Sequence, residues 1–244
     1  MSNYGFKLKE YENRLEKAQS LMHLNQIDIL LITTEQFMRY FTGFSTQFWQ
    51  SPTRPWYLII PIKGLPKAVI PDIGLSAMQK TWIKEVYTWP SPKPKDDGIS
   101  LISRVINEIP SKFNIIGAEL GTEMSLRMPL KDFFLLKSTL SRKIIDASSI
   151  LWELRLIKSN AEIDKIKHIC KIASNSFENL PSLINKGDSE RDIAKKMKID
   201  LISQGADSIP YLPVISGVGG VSQIIYEPTN RVLKSGDILF VDTG

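Results

Sequence analysis

The sequence predicts an α/β domain with a mixed sheet, followed by the first part of an α+β domain. Three observations carry this. Up to about residue 150, short apolar runs such as Ile27–Ile32 alternate with stretches of helical periodicity. Ser159-Asn160-Ala161-Glu162 then has the form of a capping box opening a long helix, and a second helix and strand-like runs follow. Finally, Ile238–Val241 reads as a buried strand that runs into Asp242 with no strand partner after it, which suggests a protein cut short.

Composition bounds the possibilities. The 244 residues, 43% hydrophobic and 23% charged, are those of a soluble globular chain with room for one large or two ordinary domains. No apolar run approaches the ~20 residues that span a bilayer, so no membrane partner is expected. Residues 1–9 contain no apolar signal core, which points to the cytoplasm. A single cysteine forbids an internal disulfide. The charge of +5 is a mild excess, and its densest group, Lys195-Lys196-Met197-Lys198, reads as a solvated helix face, so no nucleic-acid partner is expected.

In order along the chain, Tyr11, Leu15, Ala18 and Met22 predict a helix over about 8–25, followed by the strand at 27–32. Thr33-Thr34 opens a short helix closed by Gly43. The aromatic loop Phe44–Pro55 has no period. Two strands, 56–61 and 67–71, flank a Lys63-Gly64 turn. A helix over 73–80, a strand at Val86-Tyr87, a helix through Leu101–Ile109 and a strand at 114–117 follow. A short helix near 125–134 and a strand at 143–145 complete the first half.

The boundary falls between Ile150 and Ser159. Beyond it Ile163, Ile166, Cys170, Ala173, Phe177 and Leu180 predict one buried helical face, with Cys170 as a core residue and His168 outside it. Neither His23 nor His168 has a metal-ligand neighbour. A second helix starts at Asp188-Ser189 and stops at Gly205. The Gly217–Ser222 loop then lies between two strand-like runs, where glycines let backbone approach a ligand closely. Its spacing excludes a phosphate loop. Asp242 is read either as a plain turn residue or as a carboxylate paired with a metal ion beside that loop.

Three stretches resemble the creatinase, prolidase and aminopeptidase P family of pita-bread metallohydrolases. They are Tyr40-Phe41-Thr42-Gly43-Phe44, Glu153–Ser159 with Glu162-Ile163, and Leu233–Asp237 running into Val241–Gly244. The resemblance implies a creatinase-type N-terminal domain over 1–150 and the N-terminal portion of the pita-bread catalytic domain over 157–244. It implies a Xaa-Pro aminopeptidase or dipeptidase acting on small peptides as a homodimer, with two divalent ions per complete site. Manganese is favoured, with cobalt, zinc or iron as alternatives. Asp242 falls on the first metal-ligating aspartate; the other four ligands would lie beyond Gly244. These residues alone are therefore expected to hold no metal and to be inactive, and no catalytic acid or base is assigned.

Two features bear on specificity. Where many peptidase members carry a histidine before a tyrosine, this sequence has Ile225 before Tyr226. An aliphatic side chain donates no hydrogen bond, which leaves room for a small non-peptide substrate. The resemblance also implies that the Phe48–Trp56 loop reaches a neighbouring subunit's site, where Trp49, Arg54 and Trp56 would bind substrate alongside Tyr226. The alternative is a surface loop with its tryptophans packed on the domain and Arg54 in solvent. A non-catalytic homologue that keeps a dimerisation or binding module is the competing reading of the whole chain.

Overall fold

The structure, a computed structural model, describes residues 5–51 and 54–244. Pro52 and Thr53, within the loop expected to carry specificity, lie outside the described residues. The chain divides into two compact units, Met1–Ile157 and Lys158–Gly244.

The first unit is a mixed sheet covered on both faces. Its strands are β1 (Ile29–Ile32), β2 (Tyr57–Pro61), β3 (Lys67–Pro71), β4 (Glu85–Trp89), β5 (Ile115–Ala118) and β6 (Lys143–Asp146), in the order β4-β3-β2-β1-β5-β6. β1 runs antiparallel to β2 and parallel to β5. Successive strand residues point to opposite faces. Leu30, Ile32, Leu58 and Ile60 therefore meet the helices α1 (Leu8–Leu24), α2 (Glu35–Thr42) and α6 (Ser148–Leu156) on one side. Ile29, Leu31, Tyr57 and Ile59 meet α4 (Ile99–Asn107) and α5 (Leu130–Thr139) on the other. Burial on both faces is why these strands read as unbroken apolar runs.

Two buried carboxylates bracket the β1–β5 pair. Asp28, just before β1, accepts from Ser111 Oγ (2.8 Å) and from the amides of Lys112 (2.8 Å), Phe113 (3.1 Å) and Ile115 (3.1 Å). Glu119, just after β5, accepts from the amide (2.6 Å) and hydroxyl (2.8 Å) of Thr33 and from the Thr34 amide (3.1 Å), and also takes the Thr34 hydroxyl. Each acid thus fastens its own strand to the chain at one end of the other.

The Tyr40–Phe44 motif is a structural joint. Arg14, buried in α1, lies 4.2 Å over the Tyr40 ring and donates to Tyr40 O at 2.6 Å. Tyr40 Oη donates to Leu154 O in α6 at 2.9 Å, and the Thr42 hydroxyl accepts from the Phe44 amide at 2.9 Å. Gly43 ends α2 at φ 71°, and a Cβ there would sit 2.4 Å from Tyr11 Oη. Only glycine meets both demands.

Two elements depart from the periodicity. The helix expected over 125–134 begins at Leu130, because Pro129 disfavours helical backbone at the residue before it. The helix expected over 73–80 is a 3-10 turn at Asp72–Gly74 followed by the short α3 (Leu75–Met78). Gly74 lies under the Trp56 ring, where a Cβ would come within 2.2 Å.

The second unit pairs α7 (Asn160–Leu183) and α8 (Glu190–Ser203) with a hairpin of β7 (Val214–Val218) and β8 (Asp237–Val241). The Ser159–Glu162 capping box is formed, and Ser189–Asp192 makes a second one. The buried stripe of α7 differs from the expected one. Ile172, Ser176 and Leu180 are buried, whereas Ile163, Ile166, Phe177 and Cys170 are exposed. Helix length and helix face give the reasons. At 1.5 Å per residue α7 extends roughly 36 Å and α8 roughly 21 Å, so Ile163 and Ile166 are left beyond the covered stretch. Phe177, between buried Ser176 and Leu180, is exposed because it points to one side of that stripe. Cys170 is therefore a surface thiol and not a core residue.

Burial raises the Asp28 pKa, but the hydrogen bonds from Lys112, Ser111, Phe113 and Ile115 outweigh it and bring it to about 2, from 3.8. A depressed carboxylate pKa gives stability that is present above the unfolded value and lost as pH falls through the folded one. The first unit should thus lose about 2–3 kcal/mol between pH ~4 and ~2. Asp28→Asn is expected to remove a similar amount at pH 7 and to flatten that acid loss. Urea unfolding followed by tryptophan fluorescence checks both, because all five tryptophans lie in the first unit.

Candidate functional site

The second unit is organised by one buried acid. Glu190, the first residue of α8, is only 2% exposed. Its Oε1 accepts from Ser216 N (2.7 Å) and Oγ (2.8 Å), and its Oε2 from Thr229 N (3.0 Å) and Oγ1 (2.6 Å). Burial pushes the Glu190 pKa up, and the bonds from Thr229 and Ser216 overcome this to leave it lowered. Alongside, Arg231 grips Asp237 through two contacts of 2.7 Å and also donates to the Ser216 hydroxyl. That guanidinium, helped by the Lys234 amide, holds Asp237 at about 2. Helix start, hairpin and the 229–231 loop are thereby tied together.

This arrangement fixes where Asp242 lies. Val214 pairs with Val241 and Val218 with Asp237. The Asp242 amide donates to Pro213 O at 3.2 Å, and the Gly244 amide to Tyr211 O at 3.0 Å. The glycine loop starts at Gly217, inside the far end of β7 and four residues from Pro213, or roughly 14 Å at about 3.4 Å per residue. The expected juxtaposition of Asp242 with that loop is not formed, because the antiparallel register carries the two to opposite ends of the hairpin.

Tyr226 lines a groove of about 750 Å³ between α8, the Tyr211–Pro213 segment and the Ile225–Pro228 loop. Ile225 is 75% exposed and Tyr226 56%. Tyr226 and Asp242 therefore border the same short segment, one across the groove and the other through the main chain. Asp242 itself is exposed and does not line the groove.

In the first unit, Trp49 and Trp56 are core residues. Trp56 is fully buried and Trp49 nearly so, with ring centroids 5.8 Å apart and Phe44 packed against both. Burying a large ring is worth about 1.5–3 kcal/mol, which accounts for their placement. Both rings face the domain core and not solvent. Arg54 is half-buried, 6.0 Å from the Phe48 ring. Its carbonyl accepts from Arg127 at 2.6 Å. Arg127 also donates to Trp49 O (3.2 Å) and Ser51 O and lies 4.9 Å over the Trp49 ring. Desolvation lowers the Arg127 pKa.

Periodicity and motif spacing do not single out Glu190, Arg231, Glu119 or Arg127. The first had a visible signal: an acid beside a capping serine at a helix start. Glu119 and Arg127 sit in loops with partners distant in sequence, whereas Arg231 reads as one more loop cation although Asp237 is only six residues on.

Among the described residues no three His, Cys, Asp or Glu side chains converge as a metal cluster. Asp237 is spent on Arg231, and one Asp242 carboxylate supplies too few oxygens for two hard cations. The residues present do not complete a dinuclear site.

A mixed-sheet domain joined to a capped helix pair and hairpin defines the class: an N-terminal domain followed by the opening of a pita-bread domain. Residues 14–157 match the creatinase/prolidase N-terminal domain, and residues 164–244 match metallopeptidase family M24. The chain belongs to this creatinase/prolidase family of metallopeptidases, which implies divalent metal ions. It is 25% identical to the probable dipeptidase PepE of Mycobacterium bovis, covering 100% of this chain and 62% of PepE. It is 26% identical to the uncharacterized peptidase YqhT of Bacillus subtilis, covering 95% of this chain and 60% of YqhT. Its fold superposes on a crystal structure of recombinant prolidase from Thermococcus sibiricus with a TM-score of 0.82 and 23% identity, over 96% of this chain and 61% of the prolidase. The chain thus spans about three-fifths of these relatives. No helix among the described residues is long and apolar enough to cross a membrane.

Removing the Glu190 carboxylate should strand four donors, at roughly 1–3 kcal/mol for each one left buried. Glu190→Ala is expected to loosen the hairpin while leaving the first unit intact. Hydrogen exchange reads this as lost protection of the Ser216 and Thr229 amides, with β1 and β5 unchanged.

Proposed function

We propose that these residues are the N-terminal domain and the leading part of the catalytic domain of a metal-dependent Xaa-Pro dipeptidase or aminopeptidase. The observation that carries this reading is the ordered match through both domains, ending on β8 and Asp242. Relatives named dipeptidase, prolidase and Xaa-Pro aminopeptidase support a small-peptide substrate. Asp242 is the candidate first metal ligand, with manganese the favoured ion. Its exposed carboxylate at the end of a strand suits a site that further ligands would complete.

By itself the 244-residue chain should show no tight stoichiometric manganese binding by calorimetry, and such binding would contradict the assignment of a single ligand. In a form extended to the length of the relatives, manganese-dependent cleavage of Xaa-Pro dipeptides is expected. Asp242→Ala should lower it by more than about 100-fold, because one missing carboxylate unbalances two bridged ions. A second reading, a small non-peptide amide as substrate, is favoured by Ile225 where a histidine would donate a hydrogen bond. Hydrolysis of such amides with no turnover of Xaa-Pro dipeptides would select it.

Arg54 is the remaining candidate for recognition from the first unit, reaching a substrate carboxylate across a homodimer. Its replacement by Ala in the extended form should raise KM several-fold and leave kcat nearly unchanged, the pattern for lost uniform binding. Equal kcat and KM in the variant and the parent would remove Arg54 from the site.

A further inference from the structure

The groove on the second unit has a chemical bias that the peptidase reading does not use. One wall is a cationic stripe: Arg191, Lys195 and Lys198 recur at i, i+4 and i+7 along α8, so they share a face. Arg191 is engaged, donating to Pro228 O (3.1 Å) and Asn230 Oδ1 (3.2 Å), and so braces the opposite wall. The two lysines are exposed. Their neighbour Lys196 pairs with Asp188 at 2.5 Å, but neither Lys195 nor Lys198 forms an ion pair among the described residues. Asp192, one turn before Lys195, takes the Ser189 amide and hydroxyl on a single carboxylate oxygen, and the Lys195 charge acts on it without closing an ion pair.

Facing the stripe are exposed apolar and aromatic groups. Ile199, on the α8 wall itself, is 57% exposed; across from it Tyr211 is 41% and Tyr226 56% exposed, and Glu227 is the only acid in the lining. The volume of about 750 Å³ is within the range of roughly 300–1,000 Å³ for ligand clefts.

From this juxtaposition we propose that the groove binds an acidic peptide segment, with carboxylates on Lys195 and Lys198 and apolar side chains against Tyr211, Tyr226 and Ile225. Charge complementarity selects the occupant. Two unpaired ammonium groups attract anions, while the apolar opposite wall rewards a hydrophobic body alongside them. A nucleic acid is the poorer fit: it needs a longer cationic track than one helix face supplies, and Glu227 would oppose its phosphates. The groove shares Ile225 and Tyr226 with the specificity position of the proposed reaction, in which Lys195 and Lys198 have no part.

Fluorescence anisotropy on the 244-residue chain tests this, using a short labelled peptide that alternates Glu with Leu and Tyr. The controls are the same peptide with Gln for Glu and a labelled single-stranded oligonucleotide. The acidic peptide should bind at least about tenfold more tightly than either control and weaken with added salt. The Lys195→Glu/Lys198→Glu double variant should weaken binding about tenfold. Ile225→Asp, which places a repelling carboxylate on the opposite wall without touching α8, should weaken it as well. Failure of the acidic peptide to bind, equal binding of the oligonucleotide, or acidic-peptide binding unchanged in both variants would overturn the proposal.

Discussion

A strand buried on both faces leaves its ends as the places where polar side chains can anchor it, and β1 meets this constraint with two acids. All four of its side chains are fully buried, so it cannot be tied down along its length except by main-chain pairing. Asp28 binds the turn that leads into β5, and Glu119 at the end of β5 binds the turn that leaves β1. The two acids answer their settings differently. Hydrogen bonds prevail at Asp28 and lower its pKa, whereas desolvation prevails at Glu119 and raises it. The α2 joint, the Arg127 loop contacts and the seating of α6 all start from the strand ends fixed in this way. Arg127 joins the same network, its amide donating to the Thr33 hydroxyl that in turn donates to Glu119.

The second unit repeats the principle with less apolar material. Its core rests on Ile172, Ile193, Met197, Leu201 and Val214, and Glu190 ties the start of α8 to β7 and to the Thr229 loop by gripping both Ser216 and Thr229. The Arg231–Asp237 pair then holds the start of β8. A two-stranded ribbon is marginal alone. Here it is braced by an acid at a helix start, and that brace determines which end of the ribbon carries Asp242.

Much of this was legible in the sequence. Apolar runs gave β1, β2 and β3, the Ser159–Glu162 box gave the start of α7, and Gly43 gave the stop of α2. Family membership was readable from motifs that prove to be joints and turns. What escaped depended on partners far along the chain. Periodicity could mark Ile163, Ile166 and Phe177 as apolar, but not that α8 would stop short of the first two or that the buried stripe would run through Ile172, Ser176 and Leu180 instead of Phe177. Likewise Trp49 and Trp56 stood out as loop aromatics, while their burial depended on Phe44 and on Gly74 leaving room for the larger ring. Asp242 could be recognised as a residue, but its distance from the glycine loop followed only from the register.

The exposure of Cys170 has a practical consequence. It is the sole sulfhydryl in the chain and stands on the outer side of α7, away from Ile172, Ser176 and Leu180. A maleimide dye or spin label would attach at one defined position in the catalytic-domain half, with no competing nucleophilic sulfur in the creatinase-type half. These 244 residues thus carry their own attachment point for following the later unit without engineering.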